Sequence, residues 1–137
     1  MSVIIDTILS VAEKLFGLRG ELAKARQARK HEVAEFLAGI ALTIETTSAI
    51  LIQGNYPHGN CQEILSHSEH MNGAIGDLIG DQKATDLALE LKEVHEVEQL
   101  YHELSGKTED ERVRSLHVLD QAAGRFRATA AFVRVSP

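Results

Sequence analysis

Three features of the sequence predict an all-α fold. Proline occurs only at Pro57 and Pro137, no stretch alternates strictly between apolar and polar residues, and apolar residues recur in steps of three and four along most of the chain. A length of 137 residues is enough to bury one core, so residues 1–137 are read as a single helical domain.

The elements follow in order. Residues 3 to about 17 form a first, strongly apolar helix, with Gly17 and Gly20 marking a weak point after it. From Glu21 to Gln53 nothing breaks a helix outright, and Val33, Phe36, Leu37, Ile40, Ile44, Thr47 and Leu51 keep one seam. The run Gly54-Asn55-Tyr56-Pro57-His58-Gly59-Asn60 is a loop, whose last residue is suited to cap a third helix. That helix carries Ile64, Met71, Ile75 and Leu78 and stops at Gly80-Asp81. A fourth, from about Ala84 to Leu104, carries Leu87, Leu91, Val94, Val97 and Tyr101. Thr108-Glu109-Asp110-Glu111 has the spacing of a capping box, and a fifth helix follows with Val113, Leu116, Leu119, Ala123, Phe126, Ala130 and Val133 on its seam. Four long amphipathic helices joined by short loops are the pattern of an antiparallel four-helix bundle, which leaves the short apolar N-terminal helix over.

Charge is sorted along the chain. Residues 19–30 hold Arg19, Lys24, Arg26, Arg29 and Lys30 against Glu21, a net +4. Residues 31–111 hold sixteen acidic residues against Lys83, Lys92 and Lys107, a net −13, and residues 112–137 hold five arginines against Asp120. Either the basic ends lie against the acidic middle, or they attract an anionic partner. A nucleic acid is a poor fit for that partner, because the chain is acidic overall and its basic run has no interleaved aromatics. The single cysteine, Cys61, forms no internal disulfide and fits a reducing cytoplasm. No basic residue precedes the first apolar run, which argues against a secretory signal, and Asp6, Glu13 and Lys14 interrupt that run well short of a spanning segment.

Motifs for chemistry are weak. Ser105-Gly106-Lys107-Thr108 resembles the end of a P-loop, but the first glycine of that motif would fall at Tyr101, within a helix. Glu63, His67 and His70, and again His95, Glu98 and His102, line helix edges at spacings of three and four. Neither trio has the Glu-x-x-His order of two-iron bundles, so the histidines are read as edge residues. Cys61 near His58 has no third residue or oxyanion donors to complete a nucleophilic site. No catalytic group, metal site or cofactor is expected, and the chain is read as a non-enzyme.

The first helix is the informative segment. On a helical wheel Asp6, Gly17, Ser10, Lys14, Thr7 and Glu13 fill a polar strip about 120° wide, while an apolar arc of about 180° lies opposite. A surface helix needs an apolar arc of about 100°. Either the helix sits in a groove and buries both flanks, or the arc Ile4, Ile5, Ile8, Leu9, Val11, Leu15 and Phe16 is hidden at rest and later enters a membrane while Arg19, Lys24, Arg26, Arg29 and Lys30 meet anionic lipid.

Taken together, SVIIDTILSVAEKLFGL, the following ELAKARQARK, the long EFLAGIALTIETTSAIL helix and the later amphipathic helices resemble the HeLo-type death-effector domains of fungi. The four-helix domain of the necroptosis executioner and the bacterial counterparts called Bell domains share this pattern. The resemblance covers most of the chain as a layout and carries no strict motif. It implies an N-terminal effector domain of a larger signalling protein, with a fused or separate signalling partner. Such a domain is cytoplasmic at rest, forms homo-oligomers on activation and permeabilises membranes in cell death or bacterial immunity. The alternative is a helical adaptor or oligomerisation module whose first helix packs on a partner protein.

Overall fold

The computed structural model describes residues 3–93 and 98–137. It is all-α: α1 (Val3–Gly17), α2 (Arg19–Leu22), α3 (Gln27–Ile52), α4 (Asn60–Ile79), α5 (Asp81–Glu93), α6 (Glu98–Ser105) and α7 (Glu109–Val135), with no strand among the described residues.

The apolar seams fold inwards as expected. Val33, Leu37, Ile40, Ile44 and Leu51 of α3 are buried with Ile64, Met71 and Ile75 of α4, Leu87 and Leu91 of α5, and Leu116, Leu119, Ala123, Phe126, Ala130 and Val133 of α7. Phe36, Leu78 and Tyr101 are partly buried at the edge of that core, and Val113 is exposed. Val94 and Val97 lie outside the described residues.

Several boundaries differ from the sequence expectation, each for a local reason. The helix expected from Glu21 to Gln53 is two: after α2 the chain turns through residues 23–26, and Arg26 adopts an extended backbone before α3 begins. Leu22 and Ala25 are buried by that turn, so the break gains core contacts that a straight helix would lose. Asn60 does not cap α4. Gly59 takes the cap position with φ +79°, and the Asn60 side chain turns inwards, its Nδ2 donating to Thr47 Oγ1 at 2.7 Å. The helix expected from Ala84 starts earlier, at Asp81, and is described as α5 and α6 on either side of residues 94–97.

Two helix ends are locally encoded. Gly54, at φ +78°, closes α3 with its N–H on Leu51 O and the Asn55 N–H on Ile50 O, a Schellman arrangement. Thr108 caps α7 by accepting the Glu111 N–H at 3.3 Å, and its hydroxyl donates to Glu111 Oε1 at 3.2 Å.

Cross-helix contacts give the directions. Lys30 meets Ser136 and Pro137, Glu35 meets Arg134, and Glu45 meets Arg127, so α3 and α7 are antiparallel. Arg29 reaches Asp77 and Thr47 reaches Asn60, which makes α3 and α4 antiparallel as well. Helices α4 and α5 form a hairpin about Gly80, tied by Asn72 Nδ2 on Thr85 Oγ1 at 2.9 Å. Helix α1 packs between α7 and α5 and is a member of the core rather than an appendage. It runs antiparallel to α5, its start near Glu93 and its end near Lys83, and parallel to α7 through Glu13 with Arg125, a direction continued by Arg19 of α2 with Phe132.

Candidate functional site

The candidate site is α1 with the basic linker after it. Ile5, Ile8, Val11 and Leu15 point into the core, none more than 3% exposed, Ile4 and Leu9 are partly buried against it, and Phe16 is partly buried under Arg19 and Arg125. At rest the centre of the expected membrane-facing arc is therefore occupied by protein, an arrangement common to both readings weighed from sequence.

The five cations separate into different environments. Lys24 and Arg26 are exposed. Arg19 lies over the Phe16 ring at 4.1 Å and the Phe132 ring at 5.5 Å, and donates to Phe16 O at 2.9 Å. Arg29 is paired with Asp77 and donates to Ala74 O at 2.7 Å. Lys30 is only 4% exposed, its Nζ donating to Ser136 O at 2.7 Å and Pro137 O at 2.9 Å. Lys30 is thus shut away from any lipid in this state, and Arg29 is engaged within the fold.

The charge sorting along the chain is resolved in space by the same contacts. Arg29 of the basic linker meets Asp77, and Arg127 and Arg134 of the basic C-terminal part meet Glu45 and Glu35 of the acidic middle. The Arg127 guanidinium, hydrogen-bonded to Glu45 Oε2 at 2.6 Å, holds the Glu45 carboxyl below its ordinary range, and Arg29 does the same to Asp77.

Both flanks of α1 are open. On the α5 side a cleft of about 410 Å³ is lined by Lys14, Gly17, Leu18, Lys83, Leu87 and Glu90, and a second of about 370 Å³ by Val3, Asp6, Thr7, Ser10, Glu90 and Glu93. On the α7 side a cleft of about 390 Å³ lies between Leu9 and Glu13 and Gln121, Gly124, Arg125 and Ala128. Helix α1 is seated along its core stripe and loosely packed on either side.

Of the other candidates, His67 is partly buried, and its Nε2 lies 2.9 Å from Thr43 Oγ1, whose hydroxyl has Gly39 O as an acceptor at 3.1 Å. Burial pushes its pKa down, with Glu63 opposing and His70 assisting. His70 Nδ1 is 2.7 Å from Ser66 O. His95 lies outside the described residues, and among those described no group of three or more His, Cys, Asp or Glu could hold a metal ion. Cys61 is partly buried against the core, and His58 packs on Tyr56 with ring centroids 4.8 Å apart. Ser105-Gly106-Lys107-Thr108 is the end of α6 and the cap of α7, with no strand before it. Among the described residues α3 alone is long and apolar enough to cross a membrane, and Val33, Leu37, Ile40 and Ile44 on it are core residues.

Sequence reasoning put Leu18 and Leu87 on apolar helix faces but missed that they converge with Lys83 and Glu90, because a cleft between helices distant in sequence leaves no local signal. No family model matches the chain, and no curated protein or solved structure matches it.

Proposed function

We propose that this chain is a membrane-targeting effector domain that permeabilises anionic membranes after oligomerisation, with α1 as the element that leaves the core to insert. In this reading α3, α4, α5 with α6, and α7 form an antiparallel four-helix bundle that remains when α1 departs. The domain is non-enzymatic, cytoplasmic at rest and membrane-associated when activated, and its trigger comes from a fused or separate signalling partner.

The observation that carries the reading is the combination in α1 of an apolar core stripe with clefts on both flanks. Magnitudes then say what activation requires. Burying Ile5, Ile8, Val11 and Leu15 is worth roughly 1.5–3 kcal/mol each, so release costs on the order of 6–12 kcal/mol. The exposed ion pairs Lys14–Glu90 and Glu13–Arg125 add about 0–1 kcal/mol each. Entry into hydrocarbon returns most of the apolar term, since lipid tails are as apolar as a core. Attraction by the exposed Lys24 and Arg26 contributes only about 1 kcal/mol each near an anionic leaflet. One chain is therefore held weakly at the surface, and several acting together hold firmly.

The test locks α1 in place. In a Cys61→Ser background, Lys14→Cys with Glu90→Cys is joined by a short thiol-reactive linker, and protein clustered on a fused oligomeriser is added to dye-loaded vesicles. Unlinked protein should leak anionic vesicles far more than neutral ones, and the linked protein should not. Equal leakage from linked and unlinked protein would exclude release of α1. No leakage from clustered wild-type protein would leave the partner-binding adaptor as the reading.

A further inference from the structure

Glu90 Oε2 is the one buried side-chain nitrogen or oxygen without a hydrogen-bond partner among the described residues: the Glu90 side chain is 31% exposed and its Oε1 meets Lys14, but Oε2 itself is shielded and meets nothing. A shielded carboxylate oxygen without a donor is left under-satisfied, and charge-assisted donors make the strongest hydrogen bonds available to it. Glu90 stands where the two clefts of the α1–α5 seam meet, lining both. The larger, about 410 Å³, falls within the usual size of small-molecule sites. Leu18, Leu87 and the bare backbone of Gly17 supply its apolar wall.

We propose that this cleft binds a small molecule with an apolar body and a protonated amine head, Glu90 being its acceptor. The rim charges balance, so the sign is set by the one unsatisfied group. Lys14 is already engaged by Glu90, and Asp86 offsets Lys83. The unsatisfied group is therefore an anion. The Glu χ3 torsion is broad, so a small rotation turns Oε2 towards the cleft as a donor arrives. One wall is α1 and the other is α5, so the site exists only while α1 is docked. A ligand that binds the docked state alone must stabilise it, and this one opposes release of α1. That regulatory consequence rests on the proposed function, whereas binding itself does not.

The probes are 4-phenylbutylamine, 4-phenylbutan-1-ol and 4-phenylbutyrate, which share a body and differ in the head. Titration calorimetry on the full chain should show the amine binding at least about tenfold tighter than the alcohol, the scale of one charge-assisted hydrogen bond, with the carboxylate weakest. Glu90→Gln should remove the amine's advantage while leaving the alcohol within about threefold. Lys14→Gln breaks the same ion pair but keeps the carboxylate, and should retain amine binding. A carboxylate that binds as well as the amine, equal loss in Lys14→Gln and Glu90→Gln, or no amine binding at millimolar concentration overturns the site, whatever the vesicle result. With a protein that leaks vesicles, the amine should protect wild type and not Glu90→Gln; equal protection of both would mean that the amine acts on the bilayer and would overturn the regulatory link. A chain that binds the amine but never leaks vesicles sinks the proposed function and leaves the site standing.

Discussion

Arg19 covers Phe16: the guanidinium carbon sits 4.1 Å from the ring centroid, and the same side chain donates to the Phe16 carbonyl oxygen at 2.9 Å. One residue of the expected lipid-facing arc and one of the expected lipid-binding cations thus occupy each other. Arg125 approaches the same ring at 4.7 Å while paired with Glu13 at 3.2 Å, so the last turn of α1 is held to α7 by contacts that α1 must exchange on leaving.

The buried seam should dominate stability. Ile44→Ala, at a position 1% exposed, should cost roughly 2–5 kcal/mol, and Phe126→Ala roughly 3–5 kcal/mol. His102→Ala, at an exposed edge position, should change stability by about 0.5 kcal/mol or less. Denaturant melts at neutral pH rank the three; a histidine change as damaging as Ile44→Ala would mean that the helix faces are assigned wrongly.

Stability should fall as pH drops below the ordinary histidine value of about 6.5. Burial depresses the His67 pKa in the fold, so between its folded and unfolded values the unfolded chain binds the extra proton and is favoured. The contribution is complete above the unfolded value and is lost as pH falls towards the folded one. Glu45 and Asp77 act with the same sign in the carboxylate range, since Arg127 and Arg29 hold them down. His67→Gln should flatten the upper part of the curve and leave the acid limb; urea midpoints measured from pH 7.5 down to about 2.5 separate the two windows.

Lys30 is a structural tie. Replacing it with Met removes two charge-assisted donors from the carbonyl oxygens of Ser136 and Pro137, and should cost about 1–3 kcal/mol. Amide exchange should rise in the last turn of α7 and at the start of α3. Protection unchanged at both places would show that the ammonium does not hold these two ends together.

Gly80 joins α4 to α5 at φ +95° and ψ 141°, a conformation open in practice to glycine. An added Cβ meets nothing within 4 Å, so the expected loss of about 1–3 kcal/mol in Gly80→Ala comes from the backbone alone. The same change at Gly124, inside α7 on its exposed face with nothing within 4 Å, should instead stabilise by up to about 1 kcal/mol. Thermal melts of the pair test the contrast.

What the sequence determined by itself was carried by neighbours in the chain. Thr108 and Glu111 are three residues apart and start α7 wherever it lies, and the steps of three and four from Val33 to Leu51 select one face of α3 before any partner is chosen. The bounds of α1 follow likewise from its apolar run and the glycines after it.

Tertiary structure decided what depends on which helix arrives opposite. Lys24 and Lys30 belong to one basic run, yet one is exposed and the other enclosed, because the end of α7 reaches the start of α3. Asn60 abandons the cap for Thr47, thirteen residues earlier in the chain, and the turn at residues 23–26 places Leu22 and Ala25 in the core at the expense of a continuous helix. Periodicity records which face of a helix avoids water, but the identity of the covering surface is set by contacts between residues far apart in the chain, and these leave no trace in local spacing.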